Sequence, residues 1–398
     1  MGRYRALFLL ALAMVLAMST WFSASAVLPQ LRALWSLSSG ESAWLTIAVQ
    51  LGFVTGALGS AITNLPDRFS ARHVVFVSTL AAAAANAGLV LADGPATALA
   101  LRFVTGFFVA GIYPPVMKVM ATHFQRGRGV ALGLMIGGLT LGSATPHLVN
   151  GLGGLDWRTV IVVTSLLTVA GGLVVLLFVR EGPYPFPRAV FQPKFILRAS
   201  RDPAVRLVNF GYFGHMWELY AMWSWFGAYF AESLRVVGVI DARLAAFGTF
   251  VVVGAGAVGC YAGGVLGDRW GRTRTTALAM ALSGTCAALS APVFGAAPAL
   301  VLALGVVWGI TVIADSAQFS TMITEIADQS YVGTALTAQM AAGFLLTVAT
   351  IWIIPLMRDA VGWQWAFLVL VPGPALGVLA MLRLARRPEA ARIAGGRG

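Results

Sequence analysis

Charged residues are scarce in this chain. Asp, Glu, Lys and Arg make up 11% of its 398 residues, whereas soluble domains carry about 25%. Hydrophobic residues make up 59%, and the mean hydropathy is +0.83. No stretch is polar enough for a soluble domain of useful size. The composition therefore predicts a multi-pass membrane protein whose main surroundings are the lipid bilayer.

Several motifs of known chemistry do not occur. The 2 cysteines, Cys260 and Cys286, lie inside apolar segments, so we interpret them as small buried hydrophobes rather than a disulfide. There is no Walker loop, which argues against direct use of ATP. There is also no metal-ligand or nucleophile constellation. We therefore expect a protein that is not an enzyme and holds neither a metal nor a cofactor.

Twelve segments are long and apolar enough to cross a bilayer, which takes about 20 residues. The longest connector, 181–205, is polar and rich in proline. The sequence predicts an N-terminal six-helix bundle over 1–180, a cytoplasmic linker over 181–205, a C-terminal six-helix bundle over 206–385 and a cytoplasmic tail over 386–398. Spans 1 to 12 are predicted over 6–29, 42–63, 73–92, 96–122, 129–150, 157–180, 206–232, 242–266, 275–294, 297–322, 333–356 and 363–383.

The basic residues are distributed unevenly between the two sides. If both termini are cytoplasmic, 20 of the 27 Lys and Arg residues lie in cytoplasmic segments and 5 in outer ones, with Arg102 and Lys118 inside a span. This is the positive-inside pattern of a cell inner-membrane protein. The net charge of +12 is thus a topology signal, and we expect no nucleic-acid partner.

A charged turn, Gly264 to Arg274, lies between spans 8 and 9, and a degraded copy follows span 2. The Asp-Arg pairs of the two turns are 201 residues apart, about half the chain. Duplicated halves are typical of membrane transporters. Opposite charges at helix ends could hold one conformation and release another, although a plain topology anchor would look similar. The candidate latch residues are Asp67, Arg68, Arg72, Gly264, Asp268, Arg269, Gly271 and Arg272.

These residues resemble the major facilitator superfamily. The second turn carries that family's cytoplasmic loop signature nearly complete, and the first keeps Asp67, Arg68 and Arg72. Span 4 carries Arg102 and Gly106 in an order similar to the family's Arg-x-x-x-Gly element. The resemblance implies two pseudo-symmetric six-helix bundles and secondary transport by alternating access. It also implies that spans 4, 7 and 10 line a central cavity.

Ionisable side chains inside spans are few, and each is a functional candidate because a charge in hydrocarbon costs several kcal/mol. Apart from His147 in span 5, which we interpret as a residue near the membrane surface, all of them lie in spans 4, 7 and 10. They are Arg102, Lys118, His215, Glu218 and Asp315.

Span 7 is the richest of these spans. His215 and Glu218 are three residues apart and share a helix face. A glutamate balanced between burial and a neighbouring imidazole could load and release a proton, so Glu218 is the candidate coupling residue. Direct substrate contact and a structural hydrogen bond remain open. Aromatic residues could wall a cavity for an organic molecule, or could simply face lipid: Trp21, Phe22, Trp217, Tyr220, Trp223 and Tyr229.

The other candidates also have two interpretations. Arg102 could hold an anionic substrate, because guanidinium binds carboxylate in a bidentate manner, or it could relay charge or pair structurally. Asp315, with Gln318 three residues on, could be a second protonation or substrate site, or could pair with Arg102 or Lys118. Lys118 follows residues that can kink span 4, namely Gly111, Pro114 and Pro115.

The predicted function is proton-coupled transport of a small organic anion, with protons and a small-molecule substrate as partners. The alternative is a proton-coupled exporter of amphipathic or cationic compounds. We expect a monomer. The sequence does not distinguish import from export.

Overall fold

The computed structural model describes residues 2–63, 65–124, 128–152, 156–184 and 192–398, with the backbone alone at 66, 67 and 128. Within this part every regular element is helical. The N-terminal half contains six spans, of which some are single helices and others are divided into shorter ones. They are Arg3–Ala17 with Met18–Thr20, Ser23–Ala26 and Leu28–Trp35 (span 1), Ser39–Thr63 (span 2), Ala71–Gly88 with Leu89–Leu91 (span 3), Pro95–Val109 with Tyr113–Ala121 (span 4), Arg128–Gly151 (span 5) and Trp157–Phe178 (span 6).

The second half repeats this order of six spans. They are Pro203–Val236 (span 7), Ala242–Trp270 (span 8), Arg272–Val293 (span 9), Pro298–Ala314 with Ser316–Ile326 (span 10), Val332–Val361 (span 11) and Trp363–Ala366 with Phe367–Leu370 and Pro372–Ala385 (span 12). Short helices outside the spans are Leu65–Arg68, Pro193–Phe195, Ile196–Arg201 and Pro388–Gly395. The predicted all-α membrane fold is confirmed.

Span 7 differs from the others in composition. Eleven of the twelve spans are apolar and long enough to cross a membrane by those criteria alone. Span 7 has the length, 34 residues, but it carries His215, Glu218 and several Trp and Tyr residues, which lower its hydropathy. Its polar side chains are mostly buried inside the bundle, where protein rather than lipid surrounds them.

Spans 1, 4 and 10 are each broken near their middle. Span 1 loses helical structure at Trp21 and Phe22, span 4 between Val109 and Tyr113, and span 10 at Asp315. The proline and glycine of span 4 predict its break. The other two have no proline at the break, so the sequence pattern did not indicate them. Each break frees backbone groups that need partners inside the protein.

The two halves meet along spans 5 and 8 and along spans 2 and 11. Small residues allow a close approach between spans 5 and 8: a Cβ added to Gly133 would lie 2.5 Å from the Cys260 carbonyl oxygen. Within the second half, a Cβ on Gly259 would lie 1.9 Å from the Ile310 carbonyl oxygen of span 10. Small residues at such contacts are what membrane helices use to pack backbone against backbone.

The outer surface of the bundle is apolar. Leu166 of span 6, Leu177 of span 6 and Leu376 of span 12 are each more than 60% exposed. Large exposed apolar side chains on many helices indicate a surface that faces lipid.

Both chain termini lie at one end of the bundle, because the chain crosses it an even number of times. We call this end the termini end. The division into bundles, linker and tail stays a prediction, and residues 185–191 of the linker lie outside the described part.

We expect Gly259→Ala to destabilise the protein by about 1–3 kcal/mol, because the new methyl group overlaps the backbone of span 10. The matched control is Gly59→Ala in span 2, where an added Cβ meets no atom within 4 Å. Thermal unfolding of the purified protein in detergent measures both. Equal melting temperatures for the two variants would contradict the backbone contact.

Candidate functional site

Arg102 of span 4 is fully buried and donates hydrogen bonds to three backbone carbonyl groups and to the side chains of Ser23 and Asn86. Its Nη2 donates to the Trp21 carbonyl oxygen at 2.5 Å, its Nη1 to that of Thr20 at 3.0 Å and its Nε to that of Leu45 at 3.2 Å. Nη1 also donates to Asn86 Oδ1 at 3.1 Å. Thr20 and Trp21 adjoin the break in span 1, so Arg102 satisfies carbonyl groups close to that break.

This geometry bears on the anion-binding role predicted for Arg102. All three guanidinium nitrogens donate to protein acceptors, and the side chain has no exposed surface. In this conformation Arg102 therefore presents no nitrogen to a substrate. It acts as a clamp between spans 1, 2, 3 and 4. No carboxylate lies within ion-pair distance of it among the described residues, so the predicted pairing with Asp315 does not occur here.

Asp315 pairs with His215 instead. The distance between His215 Nδ1 and Asp315 Oδ1 is 2.8 Å, and both side chains are at most 2% exposed. Asp315 lies at the break of span 10, between Ala314 and Ser316. Spans 7 and 10 are thus joined by two titratable groups at a point where the helix is interrupted.

Glu218 has different neighbours from those predicted. Its carboxyl group accepts hydrogen bonds from Ser283 Oγ at 2.8 Å and from Trp308 Nε1 at 2.7 Å, and it is 1% exposed. The imidazole of His215, expected to influence it, is engaged by Asp315. Ser283 of span 9 and Trp308 of span 10 were missed by sequence reasoning, because they are 65 and 90 residues away.

An aromatic cluster fills the middle of the contact between the halves. Trp21 and Phe53 have ring centroids 4.9 Å apart, and Phe53 and Phe344 4.6 Å. Tyr220 lies 5.8 Å from Trp21 and 5.2 Å from Phe344. Of the six aromatic residues predicted to wall a cavity, Trp217 and Tyr229 lie elsewhere, donating to the carbonyl oxygens of Val369 and Ser290. The aromatic cluster comprises Trp21, Phe22, Phe53, Tyr220, Trp223 and Phe344.

Buried polar atoms without a partner occur in and beside the aromatic cluster. The indole nitrogens of Trp21 and Trp223 donate to no acceptor in the described part of the chain, and neither amide atom of Gln50 is bonded there. Gln50 is fully buried and precedes Phe53 by one turn of span 2. Unpaired buried polar groups are rare in proteins and need an explanation.

A cavity of about 610 Å³ opens at the end of the bundle opposite the termini. Spans 1, 2, 5, 7, 8, 11 and 12 line it. Its charged residues are mixed, with Arg32, Arg235 and Arg358 against Glu232 and Asp241, and His147 of span 5 is also part of its wall. Such a volume is in the range of small-molecule sites.

The candidate latch of the second half is an ionic network at the termini end. Arg272 is bonded to Glu325 through Nε and Nη2 at 3.0 to 3.1 Å, and lies 3.2 Å from Asp268. Its Nη1 donates to Gln318 Oε1 at 2.8 Å. Gln318 was predicted to act with Asp315 at a substrate or coupling site; the structure places its side chain in the latch. Glu325 had not been recognised from the sequence.

The latch also contacts the first half. A Cβ on Gly129, the second residue of span 5, would lie 2.7 Å from Asp268 Oδ2. The carboxylate therefore lies at the beginning of span 5, where free backbone N–H groups and the helix dipole favour a negative charge. Gly264 lies against the same segment, and Gly271 has the positive φ of 99° that the turn requires.

The remaining candidate residues lie outside the networks described above. Arg72 donates to the Val179 carbonyl oxygen at 3.4 Å, while Arg68 and Arg269 are exposed. The side chain of Asp67 lies outside the described residues. Lys118 is half-buried in the helix Tyr113–Ala121. The described residues contain no group of three His, Cys, Asp or Glu that could hold a metal ion.

A profile of the Major Facilitator Superfamily matches residues 10–345. The chain belongs to the major facilitator superfamily. It is thus a member of a family of membrane transporters, as the resemblance of its charged turns implies. A search of curated proteins returns no match.

Solved structures of the superfamily share the fold. A bacterial homologue of the human lysosomal transporter Spinster, inward-facing and unoccupied, is 15% identical with a TM-score of 0.68 over 96% of this chain and 95% of that one. The proton:xylose symporter XylE, bound to 6-bromo-6-deoxy-D-glucose, is 13% identical with a TM-score of 0.74 over 96% and 94%. Identities this low support the fold and not the substrate.

We expect Arg102→Lys to destabilise this superfamily member by about 3 kcal/mol or more, since one ammonium group cannot replace a guanidinium that bonds several carbonyl groups. Arg158→Lys is the control, because Arg158 is about half exposed. Thermal unfolding in detergent is the measurement. A stability of Arg102→Lys equal to that of the parent protein would show that the clamp does not hold span 1.

Proposed function

We propose that the protein is a secondary active transporter that moves a small organic anion across the inner membrane by alternating access, driven by the proton gradient. Both termini are cytoplasmic in this proposal, so the 610 Å³ cavity opens to the outer side. The observation that carries the choice of an anion is a set of donors, namely Arg32 on the cavity wall and the two unpaired indole N–H groups of the aromatic cluster.

Arg32 is the first of these donors. It lines the cavity, and its Nε donates to the Leu37 carbonyl oxygen at 3.1 Å. No described carboxylate lies within ion-pair distance of it. By contrast, Arg235 is paired with Glu232 at 2.5 Å, and Arg358 is paired with Asp359. Arg32 is therefore the cation best placed to attract a carboxylate or another anion.

The indole N–H groups of Trp21 and Trp223 are the next donors. Indole donates and does not accept, so a ligand that satisfied both would have to bring acceptor oxygens. Aromatic rings around them would contact an apolar part of the same molecule. An organic anion with a carboxylate and a hydrocarbon or ring portion meets both requirements. Arg102 has only a supporting role here, because it holds the segment that carries Trp21.

Proton coupling rests on the two buried acids. Glu218 has two donors and, among the described residues, no cation within ion-pair distance. A carboxylate without a counter-charge is unfavourable in a low-dielectric interior, and protonation removes that cost. Asp315 and His215 can share a second proton. One charge moved through about 100 mV supplies about 2.3 kcal/mol, which is enough to drive accumulation.

The substrate class can be tested by a thermal-shift ligand screen at pH 6 and pH 8. We expect carboxylates to stabilise the purified protein, because a ligand at ten times its Kd contributes about 1.4 kcal/mol. Arg32→Ala should weaken the best carboxylate about tenfold or more, the usual effect of losing a charge-assisted hydrogen bond. Arg158→Ala, an exposed arginine paired with Asp156 and absent from the cavity lining, should not. Stabilisation by lipophilic cations alone would instead favour the exporter of amphipathic or cationic compounds.

The coupling role can be tested in liposomes with an imposed pH gradient. We expect Glu218→Gln to abolish gradient-driven accumulation of the carboxylate found in the screen, while exchange of that carboxylate across the membrane continues, because an amide cannot release a proton. Glu41→Gln, an exposed acid at the start of span 2, is the control. Undiminished accumulation by Glu218→Gln would exclude Glu218 as the coupling residue.

A further inference from the structure

The C-terminal segment is folded onto the latch. Pro388–Gly395 is a short helical segment beyond span 12 with a non-helical kink at Ile393 and Ala394, and the chain then turns back through Gly396 and Arg397. Inside this segment Ala394 has a positive φ of 49°. A non-glycine residue in the left-handed region is strained and persists only where surrounding contacts hold it. These contacts are made by residues 388–398 of the predicted 386–398 tail, and from here on the name tail refers to residues 388–398.

Polar contacts bind the tail to both acids of the latch. The Ala394 backbone N–H donates to Glu325 Oε2 at 3.1 Å, and Arg397 Nη1 donates to the Asp268 carbonyl oxygen at 2.6 Å. Glu325 and Asp268 are the two acids that share Arg272. The tail thus bridges the end of span 8 and the end of span 10 on the side that faces away from the bilayer centre.

An apolar anchor supports these contacts. Ile393 is fully buried in a cluster with Phe319, Met322 and Ile323 of span 10. Opposite it, the Arg397 carbonyl oxygen lies so close to Gly271 that an added Cβ would be 1.8 Å from it. The turn between spans 8 and 9 therefore leaves room for the tail only because glycine occupies that position.

The consequence for the latch follows from where Asp268 lies. Its carboxylate is placed against the beginning of span 5, in the other half of the protein. Any contact that fixes Asp268 and Glu325 around Arg272 therefore also fixes the Asp268 carboxylate, which is the group that contacts the other half. A tail that leaves would remove the N–H donor of Ala394 from the Glu325 carboxylate and the guanidinium donor of Arg397 from the Asp268 backbone carbonyl, and would free the turn to move.

We propose that the tail is a strap that holds the termini end closed. Bound, it stabilises the conformation in which Asp268 contacts span 5; released, it shifts the equilibrium toward opening at this end. The inference rests on the proposed alternating access, and it adds a regulatory element that acts through the latch rather than through substrate or protons.

Cys260 is a built-in reporter for this opening. It is 2% exposed, its Sγ is 3.7 Å from Thr140 Oγ1 of span 5, and its backbone contacts Gly133 of the same span. With Cys286→Ser as background, it is the single cysteine of the chain. Its Sγ is also 4.0 Å from the Ile313 carbonyl oxygen of span 10, so a membrane-permeant maleimide can reach it only when span 8 separates from span 5 or from span 10.

The experiment compares the rate of Cys260 labelling in three variants of the full-length protein. Arg397→Ala removes the donor to Asp268, and Ile393→Asn removes the apolar anchor. We expect labelling about three- to tenfold faster in both, the range that one lost interaction produces in a two-state equilibrium. Arg392→Ala removes the same charge from an exposed position of the tail and should leave the rate unchanged.

The outcomes separate the strap from the proposed transport cycle. Equal rates in Arg397→Ala and the parent protein, or an equal rise in Arg392→Ala, overturn the strap. Arg397 is itself exposed, so its substitution tests the strap even if Ile393→Asn does not fold. A change in the labelling rate of the parent protein on addition of the carboxylate found in the thermal-shift screen reports on alternating access independently, and an unchanged rate would count against that function even where the variants label faster.

Discussion

Hydrocarbon offers no hydrogen bonds, so each polar group that a spanning helix carries inward has to be satisfied by the protein. Arg102 meets this requirement with contacts that also stabilise the fold. Its charge needs acceptors, and carbonyl groups next to the break in span 1 need donors. The two requirements are met by one set of contacts, which positions Trp21 and Phe22 at the centre of the protein. The aromatic cluster, and with it the middle contact between the halves, depends on that clamp.

The same requirement separates the two acids of the second half into different environments. Glu218 is held by neutral donors, whereas Asp315 is held by an imidazole. Neither meets a permanent cation among the described residues. A buried carboxylate without a counter-charge is unfavourable when it is ionised, so protonation of Glu218 removes a cost, as the proposed proton coupling requires. Arg272, by contrast, lies at the termini end and forms ion pairs with Asp268 and Glu325. Such ion pairs can hold the structure together and still separate when the conformation changes.

Hydropathy predicted the spans well, because length and apolarity are local properties. Each observed spanning helix overlaps its predicted range, and the most polar, span 7, was predicted because it remains apolar enough despite its many aromatic residues. The site was less predictable, because its contacts join distant parts of the chain. The spacing of His215 and Glu218 indicated a shared face, yet each bonds a different span. Gln318 was expected beside Asp315 on sequence distance, but a helix turns its side chain toward Arg272 instead. Glu325, Ser283 and Trp308 gave no signal, since a lone polar residue in a helix does not reveal its partner.

The helix Ser316–Ile326 connects the proposed proton site to the proposed strap. It begins directly after Asp315, which pairs with His215. Gln318 and Glu325, two turns apart on this helix, both bond Arg272, and Glu325 also receives the tail. This helix has 11 residues and no internal break between these contacts. A change in the His215–Asp315 pair that tilted its first turn would therefore alter both contacts to Arg272, and through Asp268 the contact with span 5. The His215–Asp315 pair and the tail therefore contact the same short helix from opposite ends, with the bonds to Arg272 between them.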